Sequence, residues 1–170
     1  MVTNFHDDGF NKNKARNRNN TDIRSFNCGG WALNTFSWYR PTIFGDNIRC
    51  WGDDYYQNMT DKQAFNITLK AVNAMLREFP DLRVIEHLKE LNKDEYAIAF
   101  RIGKDIDDFH YCKRAKNGHW THKMGGLCIE KITKKEVFAP VWLDGYCGFI
   151  VLFAKKDLTS PQNCGIIDIQ

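Results

Sequence analysis

The stretch that decides the fold is DFHYCKRAKNGHWTHKMGG, residues 108–126. It contains two runs rich in aromatic and β-branched residues, separated by an Asn-Gly turn signal, and this pattern is typical of an antiparallel β-hairpin. The midpoint of positions 110 and 122 is position 116, inside the turn. Residues equidistant from a hairpin turn face each other, so we expect His110 and His122 to be neighbours within hydrogen-bonding distance. His119 is an odd number of residues from His122 and should face the other side of the strand.

Strand-like runs continue on both sides of this hairpin, and helix-like runs precede them. The further strand predictions are LRVIEHL (82–88), YAIAFRIG (96–103), LCIEKI (127–132) and GYCGFIVLFAKK (145–156). Helices followed by mostly sequential strands predict an α+β domain, in which N-terminal helices pack on an antiparallel β-sheet.

Two helices are predicted before the strands. The apolar residues of Cys28–Tyr39 suit a largely buried helix that Pro41 ends. Thr60 and Gln63 match a capping box at the start of a second helix, which runs to Pro80. The predicted apolar stripe of this second helix comprises Ala64, Leu69, Val72, Met75, Leu76 and Phe79.

Length and composition indicate one globular domain. The chain has 170 residues, 43% of them hydrophobic and 14% aromatic, which is enough for a core. Residues 1–20 include the polar, basic run NKNKARNRNN (11–20) and are predicted to be a flexible arm, with a protein partner as an open alternative, while residues 21–170 form the domain. A net charge of +3 from 24 basic and 21 acidic residues does not indicate nucleic-acid or membrane binding.

Targeting signals are not evident in the sequence. No window approaches the roughly 18 consecutive apolar residues of a membrane helix, and the N-terminal residues lack the apolar core of a secretory signal. We therefore expect a cytoplasmic protein as written, with release by lysis or by a dedicated secretion route as alternatives.

The cysteines suggest thiols and not a metal or redox motif. There are six of them, widely spaced and without a C-x-x-C pair, so most are predicted to be buried thiols. A zinc site formed by Cys28, His110 and His122 lacks the sequence-close ligand pair common in such sites. The acidic run GKDIDD (103–108) is better explained as a solvated turn than as a calcium or substrate site. No metal or cofactor is expected.

Cys28 is the candidate nucleophile. A cysteine in the first turn of a helix is exposed to the positive end of the helix dipole, which favours the thiolate and lowers its pKa. If this helix packs against the hairpin, Cys28, His110 and His122 provide a nucleophile, a base and an orienting group. Cys112, which shares a strand face with His110, is a weaker candidate because no helix dipole acts on it.

Two of these motifs resemble those of the NlpC-type branch of the papain-like cysteine peptidases and amidases. In that family a nucleophilic Cys opens a helix in a pattern like D-C-S-G-F-V, a base His begins a strand, and a second His follows on the next strand. Cys28, Gly30 and Trp31 match the first pattern, His110 begins the second, and His122 follows 12 residues later. Asn27 stands where the family usually has an acidic residue. The resemblance spans roughly residues 25–155.

The resemblance implies a papain-like fold and a cysteine hydrolase. His110 would accept the thiol proton of Cys28, His122 would orient His110, and the acyl-enzyme would be a thioester. The substrate would be an amide in a peptide, a peptidoglycan-like molecule or a protein. Residues expected at the oxyanion site or along the substrate cleft are Asn27, Gly29, Gly30, Trp31, Trp120 and Lys123.

Several of these cleft residues have alternative roles. Asn27 is one of several asparagines that could donate to an oxyanion, and the two glycines could admit a substrate backbone or a neighbouring strand. Trp31 and Trp120 suit either a core or a cleft wall. Lys123 is explained more simply as a surface lysine than as a ligand for a substrate carboxylate.

Two other functions remain open on the sequence. The first is a catalytically idle papain-like fold that binds a partner protein, as an inhibitor or toxin-associated module, through the basic arm and the aromatic loop CWGDDYYQNM (50–59). The second is an acyl or amide transferase, which would use the same three residues with a different acceptor.

Overall fold

A six-stranded antiparallel β-sheet organises the part of the chain that the structure describes. The structure is a computed structural model, and it describes residues 23–41, 59–104, 108–142 and 147–157. The strands are β1 (Leu82–Ile85), β2 (Glu95–Ile102), β3 (Phe109–Arg114), β4 (Trp120–Lys123), β5 (Ile129–Ile132) and β6 (Ile150–Lys156). Their order is β1-β6-β2-β3-β4-β5, and all neighbouring strands are antiparallel. The predicted α+β class with an antiparallel sheet is confirmed.

The hairpin formed by β3 and β4 is shifted by one residue from the simplest register. Cys112 pairs with His122, so the centre of the hairpin lies at position 117 and not at 116. Gly118 adopts a positive φ of 88° in a three-residue loop, which the amide of Ala115 closes by donating to His119. His110 and His122 are consequently diagonal neighbours on one face of the sheet, one register step from a directly opposed pair.

The first predicted helix is much shorter than the sequence indicated. Helix α1 comprises only Cys28–Ala32, and the chain then turns through Asn34 and Phe36, both at positive φ. The carbonyl of Gly30 accepts hydrogen bonds from the amides of residues 35 and 36, which folds the chain back. The prediction of a continuous helix over Cys28–Tyr39 is therefore wrong.

The second predicted helix begins at the expected residue. Helix α2 spans Asp61–Glu78, and the capping box between Thr60 and Gln63 is present in full. Leu69, which was assigned to its apolar stripe, is 47% exposed. A third short helix, α3 (Lys134–Val137), follows β5. No helix in the described ranges is long and apolar enough to cross a membrane.

Two hydrophobic clusters lie on opposite faces of the sheet. The cluster under α1 and α2 includes Cys28 and Tyr111, and the cluster on the other face includes Cys112 and Trp142. This division follows from the alternation of side chains along β3. The arm (1–20), most of the aromatic loop, residues 105–107, Cys50 and Cys164 lie outside the described residues.

Candidate functional site

The two histidines of the hairpin are in direct contact. His110 Nε2 and His122 Nδ1 are 3.2 Å apart, and the two rings are nearly perpendicular. This distance is that of a hydrogen bond, in which one nitrogen donates and the other accepts according to the tautomers. The predicted neighbourhood of these residues is thus present.

The histidine pair is buried under aromatic cover. The ring of His110 packs edge-on against Trp142, and both histidines are among the buried polar residues. Burial, together with the charge of His122, lowers the pKa of His110 to about 3. Burial also lowers the pKa of His122, although the carboxylates of Glu130 and Glu136 act in the opposite direction. The pair is therefore neutral at pH 7.

Cys28 opens helix α1 and is buried in the cluster on the other face. Burial raises the pKa of its thiol to about 12, while hydrogen bonding from the backbone of Tyr111 and Gly29 lowers it by less. The predicted lowering of this pKa is wrong for the resting fold. A helix of five residues has a weak dipole, and it does not offset the desolvation of a thiolate in an apolar cluster.

Cys28 is close to the strand that carries His110. Its thiol lies near the backbone of Tyr111, the residue that follows His110. The side chains of these two β3 residues leave the strand on opposite faces. Among the hydrogen bonds of the described residues, none joins the thiol to an imidazole. The structure thus brings the two histidines together and places Cys28 beside the same segment of β3 without that third hydrogen bond.

Asn27 caps helix α1. Its Oδ1 accepts hydrogen bonds from the amides of Gly30 and Tyr39, and its Nδ2 donates to the Tyr39 carbonyl at 2.7 Å. All three bonds are buried. These bonds fix the start of the helix, and thereby the position of Cys28. They occupy the side chain that was considered as an oxyanion donor, so that expectation does not fit the resting structure.

Gly29 and Gly30 allow the chain to pack against itself. A Cβ on Gly30 would lie 1.9 Å from the carbonyl oxygen of Ser37, and one on Gly29 would lie 2.9 Å from the ring of Tyr39. Of the two alternatives, a substrate backbone or a neighbouring strand, the second is nearer to the observation, because the segment that follows α1 occupies this space. This segment is the close neighbour that these glycines require.

The remaining predicted cleft residues belong to the interior. Trp31 donates from Nε1 to Thr121 Oγ1 at 3.2 Å and packs beside Lys113, while Trp120 belongs to the cluster on the opposite face. Lys123 is 0% exposed, donates to the Gly125 carbonyl and packs over an aromatic ring. The surface position preferred for Lys123 is therefore wrong, because β4 buries both of its faces.

Cys112 shares its sheet face with the histidine pair. It is paired with His122 across β3 and β4 and is fully buried. Burial raises the pKa of its thiol strongly. No hydrogen bond of the described residues joins Cys112 to either histidine, and the same holds for Cys28. Cys112 is therefore a reference thiol of similar burial that does not open a helix.

The residues that sequence reasoning missed line a cleft beside His122. This cleft has a volume of about 450 Å³, and Glu130 and Glu136 are among the residues that line it. Glu130 is paired with His122 across β4 and β5. Thr133 and Glu136 form a capping box, a signal that is readable in the sequence as T-x-x-E.

The described parts of the chain contain no metal-binding site. No group of three or more His, Cys, Asp or Glu residues in these ranges could hold a metal ion. The zinc alternative with Cys28, His110 and His122 is therefore not supported. Of the cysteines in the described residues, Cys28 and Cys112 are buried free thiols.

Comparisons of the chain with protein-family models, with curated proteins and with solved structures found no match. The resemblance to the NlpC-type enzymes thus depends on the Cys28 and His110–His122 motifs alone. Any function for the site has to be argued from its own geometry.

Proposed function

We propose that this chain is a papain-like cysteine hydrolase of the NlpC type, which cleaves an amide or related acyl bond. Cys28 is the nucleophile, His110 is the base, and His122 holds the tautomer and orientation of His110. The contact of 3.2 Å between the two imidazoles is the observation that carries this proposal. The two buried histidines in hydrogen-bond contact supply the base and its orienting group, and a helix-opening cysteine lies beside the same strand; the contact between thiol and base that a triad also needs would form on substrate binding.

The proton path follows from the atoms in contact. His110 Nε2 faces His122, so His110 Nδ1 is the nitrogen that accepts the proton from the Cys28 thiol. The sulfur then attacks the acyl carbon, and the imidazolium returns the proton to the leaving amine. Water subsequently releases the acyl group from the thioester, with His110 taking and returning one proton.

The resting site is neutral, and this shapes the mechanism. A thiol pKa of about 12 and an imidazole pKa of about 3 disfavour a preformed thiolate–imidazolium pair. Proton transfer therefore accompanies attack on the bound substrate. Because the His110 side chain and Cys28 rest on opposite faces of the sheet, the site has to rearrange when substrate binds before the imidazole can take the thiol proton.

Turnover of activated p-nitrophenyl esters tests this proposal without knowledge of the natural substrate. We expect Cys28→Ala to abolish p-nitrophenol release, and His110→Gln to reduce its rate by about 10²-fold. Cys112→Ala is the matched control, because it removes the other buried thiol and should retain activity. Equal rates in the native protein and in Cys28→Ala would show that any hydrolysis is unrelated to this site.

Transfer and hydrolysis use the same acyl-enzyme and differ only in the acceptor. Adding hydroxylamine to the same reaction tests for transfer, since a transferase forms the hydroxamate in preference to the free acid. A hydrolase forms mainly the acid.

A binding module of the same fold is the second candidate. Phe65 on α2 and Phe149 before β6 are 53% and 42% exposed, and their rings pack edge-to-face at 5.7 Å. An exposed aromatic pair is typical of protein-binding surfaces. The neutral state of Cys28 and His110 also fits an idle site. If no variant at Cys28 alters ester hydrolysis, this second function is the better account.

A further inference from the structure

The cleft beside His122 contains groups that the proposed triad does not use. Its volume of about 450 Å³ accommodates an amino-acid side chain with part of its backbone. It lies on the sheet face opposite helix α1, between the β4–β5 pair and the chain around α3. One of its walls is His122 itself.

His122 is a largely buried residue that lines this cleft. The residue is only 6% exposed, and its Nδ1 faces His110. No hydrogen bond among the described residues uses its Nε2, which is left for the cleft. A nitrogen in this position is a partner for a polar group of a ligand.

Carboxylates face the same space. Among the described residues, Glu136 accepts hydrogen bonds from the amide and hydroxyl of Thr133 through Oε2, and none of them uses Oε1. Glu130 is paired with His122 in the sheet. Lys131 is the one cation among the described lining residues, so the two carboxylates outnumber it. Both carboxylates raise the pKa of His122 against the effect of burial, which shows that their negative potential reaches the imidazole.

The rest of the lining is apolar. Met124, Ile132 and Val141 provide surface for an alkyl chain. A ligand that fits both the carboxylates and the apolar wall has an aliphatic stem that ends in a cation, as lysine and arginine side chains do. An acidic occupant would be repelled, and a purely apolar one would gain nothing from the carboxylates.

We propose that this cleft binds a basic residue of a peptide, with its ammonium or guanidinium group on Glu136, within the negative potential to which Glu130 contributes, and with its stem on the apolar wall. That the bound residue belongs to the substrate rests on the proposed hydrolase function. Binding of the cation depends only on the cleft, whereas the tautomer of His122 also depends on the base role proposed for His110.

The tautomers of the histidine pair indicate that the ligand should also provide a hydrogen-bond acceptor. When His110 Nδ1 is the base, His110 Nε2–H donates to His122 Nδ1, and His122 then carries its proton on Nε2. This N–H is then the donor that His122, as a lining residue, can offer to a ligand in the cleft. A peptide carbonyl supplies the acceptor, whereas a simple alkylamine does not. A lysyl or arginyl residue within a peptide therefore fits the cleft better than a free amine.

Binding is measured in the Cys28→Ala variant, so that no turnover interferes. The probes are the N-acetyl, N-methylamide derivatives of lysine, norleucine and glutamate, and the readout is the imidazole NMR signal of His122. We expect the lysine probe to bind at least ten-fold more tightly than the norleucine probe, and the glutamate probe not to bind. Ten-fold corresponds to about 1.4 kcal/mol, within the range of one charge-assisted hydrogen bond.

Glu136→Gln removes the charge but keeps the capping box, because Gln serves equally at that position. It should remove most of the preference for lysine and leave norleucine binding unchanged. Glu86→Gln is the matched control, since Glu86 lines a separate cavity of similar size near His87. Equal affinity for lysine and norleucine, an unchanged preference in Glu136→Gln, or shifts at His87 instead of His122 would each overturn the proposal.

The two proposals fail separately. Lysine binding without Cys28-dependent ester hydrolysis would retain the cleft and reject the hydrolase. Ester hydrolysis without a preference for lysine would retain the hydrolase and reject the cleft as a site for basic residues.

Discussion

Asn27 shows how one side chain can fix a candidate nucleophile. Its amide makes three buried hydrogen bonds, two to Tyr39 and one to Gly30, and so joins the start of α1 to the segment that follows it. The sequence presents Asn27 only as a residue before a cysteine. Its capping role was not predicted, because the partner at Tyr39 is 12 residues away and depends on the turn between them.

Replacing Asn27 should therefore be costly. We expect Asn27→Ala to lower the free energy of unfolding by about 2–4 kcal/mol, since it removes a helix cap and leaves buried backbone groups unpaired. Asn27→Asp keeps the acceptor oxygen but loses the donor, so its effect should be smaller. Thr60→Ala, at the exposed cap of α2, should cost about 1 kcal/mol. Chemical denaturation measures all three, and equal losses for Asn27→Ala and Thr60→Ala would contradict the role given to Asn27.

The histidine pair should make the fold sensitive to acid. The pKa of His110 is about 3 in the folded protein and near 6.5 when the chain is unfolded, so the unfolded state binds the additional proton as the pH falls. Stability is then fully present above pH 6.5 and declines between pH 6.5 and 3, by an amount on the order of a few kcal/mol. His110→Gln should flatten this decline, whereas His87→Gln, at an exposed position, should not. Urea unfolding at pH 4 and pH 7 gives the change in the free energy of unfolding between these pH values. An equal change in the native protein and in His110→Gln would rule out the buried neutral imidazole.

At the scale of the elements, local signals were the most predictable. The start of α2 follows from the capping box at Thr60 and Gln63, and β3 and β4 follow from aromatic runs around a Gly turn. The early end of α1 could not be predicted, because the chain turns where Gly30 packs against Ser37. The spacing of apolar residues carries no information about such a contact. Leu69 was misplaced for a related reason: a helical stripe predicts one apolar face but not how much of it the sheet covers.

The contact between Gly30 and Ser37 can be tested directly. A Cβ at Gly30 would lie 1.9 Å from a backbone carbonyl oxygen, so Gly30→Ala should separate α1 from the following turn and lower the free energy of unfolding by more than about 3 kcal/mol. Gly126→Ala is the control, because its Cβ would meet its nearest neighbour at an ordinary 3.6 Å. Thermal unfolding compares the two variants. Similar melting temperatures would show that the segment after α1 does not pack as described.

At the scale of the whole molecule, the strand composition was predictable and the strand order was not. The six runs predicted to be strands are the six strands of the sheet. However, β6 lies between β1 and β2, and no short stretch of sequence indicates which distant segments pair. The same holds for the cleft at His122, which is formed where β4, β5 and the chain around α3 meet. The hairpin spacing placed His110 near His122, but the side chain of His110 and helix α1 lie on different faces of the sheet.

The central claim is that Cys28 acts with the histidine pair as a nucleophile. The most direct test is to incubate the protein briefly with an activated p-nitrophenyl ester, quench it in acid, and locate the acyl group by intact mass and peptide mapping. The account predicts one acyl group per chain, on Cys28, formed at a strongly reduced rate in His110→Gln and at the native rate in Cys112→Ala. Acylation spread over several cysteines, or equally fast in His110→Gln, would contradict it.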